Sequence, residues 1–208
     1  MQRIFKMNKK LIFYIVFFAA LVIVFFVVIS RLIPGFAAAK VPPVGYVQPF
    51  RFTTQDGKFF TDKDVAGKVY VAGYFFTTCT GICPRLNTNM RLVYDRYKNE
   101  DGFLILSHTC NPETDSASKL KHYADSLGVS ASRWVFLTGR KDSLYYQARL
   151  SYHIDDPKNN LRSIEDDFLH TQFFALVNKK GEVKKIYDGL KQSEVEEMIS
   201  DISKLLKE

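Results

Sequence analysis

Two thiols stand four positions apart in "FFTTCTGICPRLNTNM", Cys79 and Cys83, with Pro84 directly behind them and the apolar run "KVYVAGYFF" (68–76) in front. A thiolate pair serves two kinds of chemistry, exchange with disulfides and binding of soft metal ions. Spacing bears on the choice. Residues four apart on a helix have Cβ atoms about 5–6 Å apart, whereas a disulfide wants about 3.5–4.5 Å. Two sulfurs carried by one helix therefore converge more readily on a metal than on each other. A disulfide stays open if Cys79 lies on the loop before the helix. A helix N-terminus favours thiolate in either case, so both chemistries remain open.

A nitrogen ligand would complete a trigonal set. Two thiolates with one imidazole suit copper, because thiolate selects Cu(I) and mixed sulfur–nitrogen sites also hold Cu(II); zinc fits the same ligand types. Of the four histidines, His170 is the candidate, since it closes the long polar stretch "SYHIDDPKNNLRSIEDDFL" (151–169) and opens a strand. Loops of that length in compact domains are usually functional or mobile. His122 on a polar helix and His153 in a solvated loop read as surface residues, and His108 within a strand reads as structural. Cys110 reads as a small apolar filler, with a third sulfur or resolving thiol as the alternative. Met90, at helical spacing, reads as core.

The elements that must position these residues alternate. "FRFTTQDGKFFT" reads as a hairpin around Asp56-Gly57. The run 68–76 is a buried central strand, and Leu86, Met90, Val93 and Tyr97 keep helical spacing behind Pro84, so the thiols lie where a strand hands over to a helix. "GFLILSHTC" (102–110) is a strand, "ETDSASKLKHYADSLG" a helix closed by Gly128, "RWVFLTG" (133–139) a strand and "RKDSLYYQARL" a short helix. "TQFFALVNKKGEVKKIYDG" turns at Lys180-Gly181, and the terminal amphipathic helix opens on Ser193 with Glu196 three residues on, a capping box. This pattern predicts an α/β layered domain with parallel strands at its centre, and ligands of such sheets bind beyond the carboxyl ends of the strands. Neither an internal repeat nor a low-complexity segment is found.

Residues 11–29 are an unbroken apolar run, long enough to span a bilayer. Arg3, Lys6, Lys9 and Lys10 precede it, so the positive-inside rule puts 1–10 in the cytoplasm, a transmembrane anchor at 11–31, a Pro-, Gly- and Ala-containing linker at 32–48 and the domain, 49–208, outside. The run exceeds a secretory signal core, although "GFAAAK" resembles a cleavage site, and no mitochondrial presequence precedes it. These features predict a bacterial inner membrane protein with its domain in the periplasm. The net charge of +7 does not indicate nucleic acid. Six of the 29 basic residues lie in 1–40, which contains no acid, so 23 basic residues face 22 acidic ones in the remainder. Three cysteines are too few for a disulfide scaffold and point to chemistry at the pair.

"GYFFTTCTGICP", then "LILSHTCNPETDSASKLKHYADSLGVSASRWVFLTG", then "LHTQFFALVNKKGEV" resemble, in matching order, the Sco/SenC family of membrane-anchored, thioredoxin-like copper proteins. The resemblance implies a thioredoxin-like fold, a central mixed sheet flanked by helices. It implies copper held by Cys79, Cys83 and His170, and delivery to the CuA site of cytochrome c oxidase subunit II, whose cysteines the protein would also reduce. Metallochaperone work implies no turnover of a small substrate; the alternatives are a thiol-disulfide oxidoreductase using Cys79 and Cys83, and a redox or copper sensor of the envelope. The chain departs from the family pattern at Gly81 and Leu169, where acids are common, and at Cys110-Asn111-Pro112, where an aliphatic residue and Asp commonly precede the proline. Fewer acids make the site less negative.

Overall fold

The computed structural model describes residues 8–32, 42–156, 158, 167–169 and 171–208. The chain divides into two units, residues 1–42 and 43–208.

In the first unit, helix α1 (Lys9–Leu32) has 24 residues and buries none of them. Its mean hydropathy reaches 3.3, and at 1.5 Å per residue it is about 36 Å long, enough to cross a bilayer core.

The second unit is built on one eight-stranded mixed sheet of order β1-β8-β7-β4-β5-β6-β2-β3. At its centre β4 (Val69–Phe75), β5 (Phe103–Thr109) and β6 (Trp134–Thr138) run parallel. Every residue of β4 and β5 is buried, as expected for strands covered on both faces. On one side β7 (Phe173–Val177) pairs antiparallel with β4, and β8 (Glu182–Asp188) with β7. On the other, β2 (Arg51–Thr54) pairs antiparallel with β6 and with β3 (Phe59–Thr61). The turn between β2 and β3 uses Gly57 at φ +74°, a left-handed conformation that costs glycine little. Strand β1 (Gly45–Tyr46) adds two residues to the β8 edge, where the Val44 and Val47 amides donate to Val183 and Gly181. The pairing thus begins within the stretch read from sequence as linker.

Helices α2 (Cys83–Tyr97), α3 (Ala117–Leu127) and α5 (Gln192–Lys207) cover one face. Their apolar stripes, Leu86, Met90 and Val93 of α2, Leu120 of α3 and Val195, Met198 and Ile202 of α5, interleave with Val69, Val71 and Trp134 from the sheet. Met90 is core, as its spacing predicts. Beneath the other face lie α4 (Lys141–Tyr146) and a wider π-type turn, Gln147–Ser151, packed on Tyr70, Ala72 and Tyr74.

Two helix starts differ from the sequence expectation. Helix α3 begins after Ser116, whose hydroxyl accepts from the Lys119 amide, because Asp115 turns inward rather than joining the first turn. Helix α5 begins at Gln192, so Ser193 lies inside it and caps nothing. Glu194 does the fastening instead, its carboxylate accepting from the Asp188 amide and the Lys191 ammonium.

Candidate functional site

The thiols lie beyond the carboxyl end of β4. Cys83 is the first residue of α2, 4% exposed, and Pro84 follows where a helix needs no amide donor. Cys79 sits on the preceding loop, half-buried, its amide donating to the Phe76 carbonyl at 3.2 Å. The two thiols therefore do not share a helix, and the spacing argument against their pairing does not hold. All three cysteines are free.

Their environments diverge. Burial pushes the Cys79 thiol up, but the hydrogen bond from the Cys83 thiol and those from the Cys83, Gly81 and Ile82 amides outweigh it and hold Cys79 below its ordinary value. For Cys83 burial dominates, and with the proton it donates to Cys79 the thiol is pushed up to about 12. The reduced pair is thus one sulfur shifted toward its thiolate at the mouth and one deeper thiol shifted the other way.

Asp115 anchors the loop. Its fully buried carboxylate accepts from the Thr77 amide at 3.0 Å, the Thr77 hydroxyl at 2.5 Å and the Thr109 hydroxyl at 2.6 Å. The ends of β4 and β5 are tied through one side chain.

A narrow cleft of about 260 Å³, solvent at its mouth included, is lined by Cys79, Cys83, Ile82, Phe75 and Phe76 and, from another part of the chain, by Leu169 and Thr171. The topology explains this meeting. Since β7 runs antiparallel to β4, with Ala72 opposite Ala175 and Tyr70 opposite Val177, the chain entering β7 arrives at the end of β4 that leads to Cys79. His170 lies outside the described residues. Its neighbours are firmly held: the Leu169 amide donates to the Tyr145 hydroxyl at 3.1 Å, and the Thr171 hydroxyl donates to the Ile154 carbonyl at 2.7 Å. Just before them Asp167, 2% exposed, receives both terminal nitrogens of Arg149 at 2.5 and 3.0 Å, while the Arg149 Nε donates to Asp155 at 2.7 Å.

Cys110 is buried in the core of the second face, as the filler expectation has it, and also lines the cleft. Its thiol donates to the Phe75 carbonyl at 3.1 Å, its own carbonyl accepts from Tyr145, and burial drives the thiol upward. The other histidines stand apart. His108 is fully buried, stacked on Tyr74 with centroids 5.0 Å apart, and burial lowers it to about 3 against a weaker pull from the Gly73 carbonyl. His122 is exposed on α3, and His153 is exposed at φ +56°. Among the described residues no group of three His, Cys, Asp or Glu side chains is arranged to hold a metal, so these residues offer the two sulfurs of Cys79 and Cys83.

Sequence reading took Asp115 only as part of a motif, and missed Tyr145 and Arg149. The signal for Asp115 was an acid six residues beyond a threonine in the first turn past a strand. Arg149 carried none, because the π-type turn changes which residues face inward.

A family model described as SCO1/SenC matches residues 39–207. The chain belongs to this family. The SCO1 protein homolog of Bacillus subtilis (strain 168) is 32% identical over 165 residues, 77% of this chain and 83% of that relative. A solved structure of BsSco, described as a member of the Sco family of cytochrome c oxidase assembly proteins with a disulfide switch, is 31% identical; the match covers 79% of this chain and 95% of that one with a TM-score of 0.66. Yeast Sco1 solved with copper bound is 25% identical, covering 78% of this chain and 94% of that one at a TM-score of 0.55. The match spans less than half the length of the mitochondrial Sco1 relatives from yeast and human. The SCO1/SenC chain described here has the thioredoxin-like arrangement of a mixed central sheet with flanking helices, as the sequence resemblance implied.

Proposed function

We propose that this SCO1/SenC protein is a membrane-anchored copper metallochaperone that holds copper through Cys79, Cys83 and His170 and delivers it to the CuA site of cytochrome c oxidase subunit II, its domain facing the periplasm. The observation that carries the reading is the cleft in which the poised Cys79 and the buried Cys83 meet the residues on either side of position 170. The donor set fits a soft cargo ion: two sulfurs, one of them with its thiol lowered by the hydrogen bonds it accepts, in a largely apolar cleft. Copper bound there would withdraw both sulfurs from oxidation. Cys83, inside the core and leading α2, gives a fixed ligand; Cys79, at the mouth, is the ligand an incoming acceptor reaches first. The copper-bound yeast relative supports the metal, and the positively charged sequence ahead of α1 supports the orientation.

Copper binding by the reduced full chain in detergent, beside Cys79→Ser, Cys83→Ser and His170→Ala, tests the assignment. The wild type should bind one copper with sulfur-to-metal charge-transfer absorption and each variant should lose affinity at least tenfold. Wild-type protein without that absorption would sink the delivery reading. A second reading, thiol–disulfide exchange with partner proteins, is favoured by the loop position and thiolate character of Cys79, and BsSco is described with a disulfide switch. His170→Ala separates the two, since it should cripple copper affinity while leaving dithiol exchange nearly intact. Sensing would be favoured if oxidase activity survived deletion of the protein.

A further inference from the structure

We propose that Asp115 is the positioning residue of the thiol pair, acting through Thr77 to hold the start of the Cys79 loop against the ends of β4 and β5. The inference rests on the dithiol of the proposed function, but not on its copper.

The carboxylate is a constrained group. It is fully buried and carries hydrogen bonds from three donors, two of which belong to Thr77, two residues ahead of Cys79. The third comes from Thr109, whose hydroxyl oxygen in turn accepts from the Asn111 amide at 2.9 Å. A single side chain thus fixes the ends of two parallel strands, one leading to Cys79 and the other to Cys110. The Lys119 ammonium, 3.7 Å away and partly exposed, supplies the nearest opposite charge. Beyond Thr77 the chain makes the tight turn in which the Cys79 amide bonds back to Phe76, and α2 opens at Cys83 four residues on. Phe76 packs its ring on Phe168 and on the cores of both faces, and Thr77 adds the hydrogen bonds that tie the turn to the ends of β4 and β5. Side chains that orient a ligand-bearing loop are commonly worth 10–100-fold in metal affinity or activity when removed. A carboxylate is needed because it alone offers enough lone pairs to accept from an amide and two hydroxyls together.

The test uses the full chain in detergent with Asp115→Asn, Thr77→Val and Thr77→Ser. The Cys79/Cys83 couple is equilibrated with a dithiol buffer, and copper affinity is measured in parallel. Asp115→Asn and Thr77→Val should shift the redox equilibrium and weaken copper at least tenfold, Thr77→Val by less than Asp115→Asn. Thr77→Ser, which keeps both donors, should restore the wild-type equilibrium. Thr77→Val leaves the Asp115 side chain in place, so it separates loop placement from loss of the carboxylate, and it carries the test if Asp115→Asn does not fold. Variants that lose thermal stability while the redox equilibrium stays within about twofold of wild type would overturn the proposal, leaving Asp115 a purely structural residue. Wild-type protein that binds no copper would defeat the metallochaperone reading alone, because the redox readout does not involve the metal.

Discussion

The two faces of the sheet are built on different principles. Beneath α2, α3 and α5 the core is apolar, and its tyrosines send their hydroxyls to partners at the margin: Tyr97 to the Ile199 carbonyl, Tyr187 to Asp201. The opposite face buries polar and charged groups, among them His108, Gln147, Arg149 and Asp167. Strand β4 serves both, with Val69, Val71 and Phe75 turned to the first core and Tyr70, Ala72 and Tyr74 to the second. The cleft opens where the two meet, taking Cys83 from the apolar face and Leu169 and Cys110 from the polar one. The difference teaches a division of labour. A dry, close-packed face holds the buried sulfur stiffly, while the charged face fastens the segment leading toward position 170 with an Arg149–Asp167 ion pair and the Leu169–Tyr145 hydrogen bond.

That comparison can be broken. The largest effect is expected from Asp167→Ala, which leaves Arg149 buried with one carboxylate fewer and should cost about 3–5 kcal/mol in urea unfolding, together with a fall in copper affinity. A loss below about 1 kcal/mol would mean the ion pairs do not fasten the polar face. Met198→Ala, on the apolar face, should cost about 2–5 kcal/mol and leave the pH dependence of stability unchanged.

His108→Phe sharpens the contrast through pH. His108 is lowered from 6.5 to about 3 on folding. As pH falls below 6.5 the unfolded chain takes up a proton that the folded chain refuses, so stability declines down to about 3, by at most about 1.4 kcal/mol per unit for this group. Phenylalanine, among Phe52, Tyr74 and Tyr152, should flatten that part of the acid limb when unfolding is measured at several pH values. An unchanged slope would show that His108 protonates inside the fold. Smallest of all, Ser193→Ala should change stability by less than about 0.5 kcal/mol, because the hydroxyl caps nothing.

Much of this was legible in the sequence, and the gaps have physical causes. The central strands announce themselves as β-branched and aromatic runs, and the strand-to-helix handover at the thiols follows from Pro84 and the Leu86, Met90, Val93 spacing. Periodicity could not show which way a residue faces once its strand has ended, so the place of Cys110 beside the cleft was not legible, although its burial was. Local pattern also cannot see a long-range partner. Asp115 read only as part of a motif, yet the hydroxyls that claim it come from the residues past β4 and at the end of β5; Ser193 satisfied a capping pattern, but the N-cap of the helix lies two residues earlier, at Lys191, and Glu194 bonds back to Asp188. The part of the site reading placed on His170 lies outside the described residues, and it rests on what Leu169 and Thr171 do beside it.

The two-residue strand β1 has a mechanical consequence. Load arriving from the N-terminal side of Pro43 would be borne first by the few hydrogen bonds of Val44 to Gln48, and only then by the buried rings of Phe50 and Phe52. Peeling that first stitch would pay out six residues, roughly 20 Å of extra reach, with the thiol cleft left whole. The domain is thereby given a breakaway seam at its N-terminal edge, one that can open while the core around the thiols stays closed.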